Sequence, residues 1–302
     1  MIDFPTLGMG TAPIGNLYRV VSDAEARATL DAAFAAGIAY FDTAPHYGFG
    51  LAERRLGAAL ADHDPHGRAR VSTKVGRLLL PTDAQGERHG FVDADPFEPH
   101  FDYGHDAVLR SFESSQKRLR RDRIDLLLAH DIGRLTHGDA HDDHLAAFLD
   151  GGYRAMRDLR DAGAIGAIGI GVNEVAICHD LLDRCASADV RVIVGGPYNS
   201  GILARDLSGP LHFDYAAPDA AILARAQAMA ALCRDAGVAL PAAALQYPLR
   251  HPQVMAVIPG LVGADQVHDT IARLGASIPD TLWPALDAAA RAHPLAKAHS
   301  HA

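Results

Sequence analysis

What most limits the folds open to this chain is its alternation. Short apolar, β-branched runs recur along its whole length, and most are followed by a stretch with helical spacing. The runs fall near residues 8, 40, 73, 127, 168, 192 and 256. Ser22 with Glu25 makes a capping box, and Leu30, Ala33, Phe34 and Gly37 close an amphipathic helix. Further helices are expected from Leu51 to Ala61, through Val108, Phe112, Ser115 and Leu119, and from Gly152 to Ala162. Others are expected along Val175, Cys178, Leu181, Leu182 and Cys185, then at Ala220–Ala236, Pro241–Leu249 and Asp265–Leu274. Strands that alternate with helices imply βα units, right-handed crossovers and a parallel sheet. The fold class is therefore α/β, and the expected architecture is a (β/α)8 TIM-type barrel. Seven strands are countable, where a closed barrel needs eight.

Length and composition agree. A chain of 302 residues with 49% hydrophobic content suits one large domain over residues 1–302 better than two average ones. Two stretches break the rhythm. Residues 76–104 hold Pro81, Pro96, Pro99, His89 and His100 without either period, and read as a structureless, lid-like insertion. Residues 279–302 read as a C-terminal tail that carries Trp283 and frays at His299 and His301.

The net charge of −9, with no basic run, argues against a nucleic-acid surface. No apolar run approaches the ~18 residues of a membrane span, and the N-terminus carries no signal pattern. A soluble, cytoplasmic protein is expected. Cys178, Cys185 and Cys233 are scattered and read as reduced core thiols. His137, His141 and His144 share a stretch with Asp139, Asp142 and Asp143, which reads as a solvated acidic loop, and no metal is assigned. The glycines from Gly8 to Gly15 lack the strand–turn–helix context of a dinucleotide fingerprint.

The chemistry-bearing residues stand at strand ends. Ile38-Ala39-Tyr40-Phe41 stops at Asp42, with Tyr47 on the turn beyond; Val71-Ser72-Thr73 runs into Lys74; Ile124–Ala129 finishes on His130-Asp131. Four titratable groups thus reach one rim, where a barrel carries its active site. A neighbouring ammonium favours the phenolate of a tyrosine whose ordinary pKa is near ~10. Asp42 can hold Lys74, and His130 can donate to a substrate oxygen. A tyrosine so placed serves as general acid to a carbonyl or general base to a hydroxyl. With no serine or cysteine nucleophile set beside a base, such chemistry requires a hydride-carrying cofactor.

The segments FDTAPHYG, STKVG, LLLAHD and GIGVN, in this order after strands, resemble the aldo-keto reductase superfamily over nearly the whole chain. VSTKVGRLL, Gly171-Val172-Asn173-Glu174 and GGPYNSGIL are similar to its L-fucose (D-threo-aldose) 1-dehydrogenase and pyridoxal 4-dehydrogenase branch, with L-galactose dehydrogenase a step further away. The resemblance implies Asp42, Tyr47, Lys74 and His130 as catalytic residues. It implies that Asn173 holds the nicotinamide carboxamide and that Gly196 and the backbone from Tyr198 through Asn199, Ser200 and Gly201 to Leu203 wrap the pyrophosphate. It further implies oxidation of the anomeric hydroxyl of an aldose to a lactone, with a pyridoxal-type aldehyde or alcohol oxidoreductase as the alternative. A nucleotide-binding, reductase-like protein of low activity is a third reading.

Two departures stand out. Only 23 residues separate Asn173 from Gly196, room for one helix and one strand. Relative to the family, the sixth strand and its helix are missing, with Arg184–Val190 at the junction. Gly195 also stands where many members stack an aromatic ring on the nicotinamide. Where NADP-preferring relatives carry a lysine, a serine and an arginine, this chain has Gly260, Leu261 and Gln266, with Asp265 beside them. A carboxylate repels a 2′-phosphate and accepts from ribose hydroxyls, although Asp265 also fits as a simple cap of the helix that follows; NAD is the expected cofactor and NADP the less favoured one. Arg77 and Arg88 of the lid are the cations that would reverse this if they reached across.

Overall fold

The computed structural model describes residues 3–173, 190–205, 207, 209, 211–214 and 216–292. The expected helix along Val175–Cys185, the junction where a βα unit is missing, and the frayed end at His299 and His301 lie outside the described residues. The chain divides into two compact units. One comprises Met1–Val190 with Gly260–Val267, the other Arg191–Pro259 with His268–Ala302.

In the first unit, five parallel strands pair in the order β1 (Met9–Gly10), β2 (Tyr40–Asp42), β3 (Arg70–Val75), β6 (Ile124–His130) and β7 (Ile165–Gly171). The register places Asp42 opposite Ser72, Lys74 opposite Leu128, and His130 opposite Gly171. The strands therefore end at one rim, as parallel βα units require. Their connections are α1 (Asp23–Ala35), α2 (Leu51–His63) and α3 (His105–Leu119), followed by shorter helices, the last of them α6 (Tyr153–Asp161), before β7. Ser22 caps α1, its Oγ accepting from the Glu25 amide at 3.1 Å. On α3, Val108, Phe112, Ser115 and Leu119 are buried at helical spacing, while β6 reads as a near-continuous apolar run. These faces meet in a core with Met9, Leu30, Phe41, Leu56 and Leu127.

The second unit pairs β8 (Val192–Gly195) with β9 (Val254–Ile258) in parallel. Its core joins Cys233 and Ala243, on the helices α7 (Ala220–Asp235) and α8 (Leu240–Gln246), to Leu282, Trp283 and Leu286. All seven strands expected from the sequence are thus present. Among the described residues no single helix is long and apolar enough to cross a membrane.

Three expectations are corrected. The insertion 76–104 is not structureless: β4 (Arg77–Pro81) and β5 (Phe97–Phe101) form an antiparallel hairpin. Pro81 and Pro99 hid it, yet a two-stranded ribbon accepts prolines at positions whose N–H is not needed. The polar stretch after His130 contains α4 (Arg134–His137) and α5 (His141–Ala147), where Asp142 and Asp143 complement the positive end of the helix dipole. The supposed tail is helix α10 (Leu282–Ala292), which follows α9 (Ala264–Leu274) and buries Trp283 in the core of the second unit.

Glu53 joins three of these elements from α2. Its side chain is fully buried, accepting from Thr73 Oγ1 on β3 and from Arg118 Nε on α3, both at 2.6 Å. It thereby braces the strand that carries Lys74. Removing one partner of a buried ion pair costs about 3–5 kcal/mol because the other charge is left unpaired. Glu53→Ala is therefore expected to lower the urea-unfolding free energy by that amount, and a loss under about 1 kcal/mol would refute this role.

Candidate active site

At the rim, Lys74 Nζ donates to Asp42 Oδ2 at 2.8 Å, to Oδ1 at 3.1 Å and to the Thr43 carbonyl at 2.8 Å. Both side chains are almost wholly buried, 7% and 6% exposed. Ser72 Oγ donates to Asp42 Oδ1 at 2.7 Å and is itself 2.9 Å from the Tyr40 hydroxyl. Burial acts to strip the proton from Lys74, but the charges of Asp42 and Tyr47, with their hydrogen bonds, hold it above the ordinary lysine range. The ammonium lies 4.8 Å from the centre of the Tyr47 ring. Tyr47 stands on a turn whose next residue, Gly48, has φ 63° and packs so closely on the Gly15 carbonyl that a Cβ would collide with it.

His130 closes the group, its ring centroid 6.1 Å from that of Tyr47. Its backbone carbonyl accepts from the Tyr103 hydroxyl at 2.6 Å. Burial, then the nearby Lys74, Arg77 and His46, hold His130 well below its ordinary range, so the ring is neutral. Next to it, Arg77 Nη2 donates to Asp131 Oδ2 at 2.5 Å, and Arg77 Nη1 lies 3.1 Å from His46 Nε2. Burial, reinforced by Arg77, pushes His46 down to about 2. Asn173 Nδ2 donates to Asp131 Oδ1 at 3.4 Å. That leaves the Asn173 amide oxygen to accept from another amide, which suits a nicotinamide carboxamide.

The lid covers this group. Phe91 is buried, with its ring 6.4 Å from Tyr47, 5.3 Å from His46 and 5.8 Å from Phe49. The lid tip is tied to the loop after β1 by Tyr18 N to Gly90 O at 2.8 Å and Val92 N to Asn16 O at 3.0 Å. Of the other lid aromatics, Phe101 stacks under Arg77, Tyr103 lies beneath the rim, and Phe97 pairs within the hairpin. The lid hinges at Gly76, φ 102°, where a Cβ would enter the Tyr103 ring.

Asp42, Tyr47, Lys74 and His130 are thus brought together, with Asn173 nearby through Asp131. Gly260 forms a bridge with Gly10 of β1, and Asp265 is exposed in the first turn of α9. In the second unit Gly195 ends β8 opposite Ile258, and Gly196 follows with φ 58°. Asn199, Ser200 and Gly201 continue in left-handed conformations. The amides of Asn199, Gly201 and Leu203 donate to carbonyls of their own turn, Gly196 O and Tyr198 O. Ser72 and Asp131 were not marked from sequence as site residues, and Arg77 was named only as a lid cation that could reach across to the cofactor, whereas it pairs with Asp131. Asp131 was recoverable, since it directly follows His130 at a strand end. Ser72 carried no signal, and neither did the pairing of Arg77 with Asp131, because these partners are distant in the chain. His137, His141 and His144 fall on α4 and α5, and no group of three ligand-type side chains among the described residues can hold a metal ion.

The model of the aldo/keto reductase family matches residues 6–179 and 176–291. Pyridoxal 4-dehydrogenase of Microbacterium luteolum is 39% identical over 319 residues, 93% of this chain and 92% of that protein. D-threo-aldose 1-dehydrogenase of a Pseudomonas species is 36% identical, covering 93% of each. The first alignment spans 319 positions against a chain of 302, so that relative has residues without a counterpart here. The two family matches meet at 176–179, inside the short interval before Gly196. A glycerol dehydrogenase from Gluconobacter oxydans superposes with a TM-score of 0.75 at 23% identity, over 98% of this chain and 95% of that one. This likeness shows the fold, an α/β (β/α)8 barrel.

The neutral histidines make stability pH-dependent. An unfolded histidine titrates near about 6.5, whereas His46 and His130 refuse the proton until far lower pH. As pH falls through about 6.5, the unfolded chain binds more protons than the folded one. Stability therefore falls on acidification, by up to about 1.4 kcal/mol per pH unit for each histidine. Urea midpoints are expected to be flat above about pH 7.5 and to decline between about pH 6.5 and 5. His46→Phe should make that decline shallower, and an unchanged slope would count against the buried neutral ring.

Proposed function

The chain belongs to the aldo/keto reductase family, and from that premise we propose that it is an NAD(P)-dependent oxidoreductase. Its proposed reaction is oxidation of the anomeric hydroxyl of an aldose, such as L-fucose or another D-threo-aldose, to the lactone, in the cytoplasm. The observation that carries this reading is Tyr47 set over an ammonium that Asp42 locks in place. The bound nicotinamide supplies hydride acceptance. Tyr47 takes the proton of the hydroxyl being oxidised, and Lys74 stabilises the phenolate form that receives it. Neutral His130 donates from Nε2 to the substrate oxygen and orients it. Asn173 would hold the carboxamide through its amide oxygen, and Phe91 with Phe49 would limit water at the reacting atoms.

A pyridoxal-type aldehyde or alcohol is the second reading. It is supported by the aromatic wall of Phe91, Phe49 and His46 beside Tyr47, which fits a flat ring, and by the 39% identical relative. Reduced-nicotinamide absorbance measured over a panel of aldoses and pyridoxal, with both cofactors, separates the two. With the better substrate, Tyr47→Phe is expected to lose turnover by several powers of ten with nearly unchanged cofactor affinity. Retention of more than a tenth of wild-type turnover would remove Tyr47 from its role.

NAD is the proposed cofactor. The two lid arginines are occupied, Arg77 with Asp131 and Arg88 with Glu98 and the carbonyls of Phe97 and Asp95. Gln266 folds back to accept from the Val262 amide at 3.2 Å, and Asp265 presents a carboxylate. One charge-assisted bond to a phosphate contributes about 1.5–3 kcal/mol, so lacking it lowers efficiency at least about tenfold. kcat/KM with NAD is expected to exceed that with NADP by this factor. Equal or better efficiency with NADP would overturn the assignment.

A further inference from the structure

The chain leaves β6 at His130 and turns at once through Asp131, which is buried and holds a left-handed backbone at φ 49°. Its amide donates to the Gly171 carbonyl at 2.7 Å, tying the turn to the last residue of β7. The two carboxylate oxygens face different groups. Oδ2 lies 2.5 Å from Arg77 Nη2 and 3.3 Å from His130 Nε2, and Oδ1 accepts from Asn173 Nδ2 at 3.4 Å. We propose that Asp131 is a positioning residue that sets the substrate-facing histidine and the nicotinamide-facing asparagine in register with each other. The proposal deepens the reductase reading above and rests on it.

Each contact has a chemical consequence. A carboxylate beside Nε2 favours the imidazole tautomer that carries its proton there. His130 Nδ1 is buried without a hydrogen-bond partner, which suits a bare lone pair. The Nε2–H tautomer is the one able to donate to a substrate oxygen. On the other side, only the NH2 group of Asn173 can donate to Asp131, so its amide oxygen is turned outward to accept from a carboxamide. Arg77 completes the arrangement. It is held by His46 Nε2 and stacks 4.8 Å over the Phe101 ring. Its charge balances the carboxylate, so Asp131 orients His130 without drawing a second proton onto it. One side chain thus orients both the residue that would hold the substrate and the residue that would hold the nicotinamide, the two partners of the hydride transfer.

Asp131→Asn tests this in the full-length enzyme, because asparagine also tolerates the left-handed backbone. Nitrogen-15 NMR of the His130 ring, assigned by loss of its signals in His130→Gln, reads the tautomer directly. Wild type is expected to be Nε2–H, and Asp131→Asn to shift the ring toward Nδ1–H. Turnover is expected to fall about 10–100-fold, with a higher KM for the cofactor. If the unpaired Arg77 destabilises this variant, Arg77→Met with Asp131→Asn removes both charges. That double variant is expected to regain stability but not turnover. A purely structural role predicts that turnover returns with stability. An unchanged His130 tautomer, or wild-type turnover in the double variant, would overturn the proposal. If wild type oxidises neither aldoses nor pyridoxal, the reductase reading fails, and the tautomer comparison still decides what Asp131 does to His130.

Discussion

The rim of the sheet depends on one buried ion pair, Lys74 with Asp42. Two charges almost out of water are costly unless their remaining valences are filled. Here they are filled by neighbours that the register brings alongside. Ser72, the pairing partner of Asp42, donates to its carboxylate, and the Thr43 carbonyl accepts from the ammonium. The pair therefore does more than stabilise. It fixes a positive charge at a set distance beneath the Tyr47 ring and keeps that charge on, against the pull of burial.

The insertion over this rim contributes both an aromatic ring and a charge to it. Its first strand begins at Arg77, so the hairpin that lays Phe91 beside Tyr47 also supplies the cation for Asp131. Cover and electrostatics come from one element, hinged at a glycine that no other residue can replace without entering Tyr103. Burial keeps His46 and His130 neutral next to Lys74 and Arg77. A neutral imidazole can donate from one nitrogen without adding charge. The low dielectric that makes these groups expensive also strengthens each interaction they form.

Much of this was legible in the order of residues. A strand buried on both faces has to be mostly apolar, so the run from Leu126 to Ala129 after Ile124 could be little else. A polar residue closing such a strand has one place to go, the rim, which is why Asp42, Lys74 and His130 stood out. The hairpin was not legible. Its pairing joins Arg77 to Phe101 and Pro81 to Phe97, and the prolines that signal a break in a central strand are harmless in a ribbon. The helix Leu282–Ala292 was misread as a tail because its apolar face is explained only by what it packs on.

The sequence by itself determined the alternation of elements, the parallel sheet that follows from it, and which four groups arrive at its rim. These are local properties, set by period, branching and the position of a polar residue in an apolar run. Only the tertiary structure decided which charge meets which. Whether Arg77 reaches a cofactor phosphate or Asp131, whether Glu53 is a surface acid or a buried brace, and whether Asp131 faces solvent or spans His130 and Asn173 depend on strand register, a left-handed turn and the packing of helices on the sheet. Such contacts join residues tens of positions apart. Their energy belongs to the pair in its buried setting, and neither residue carries it alone.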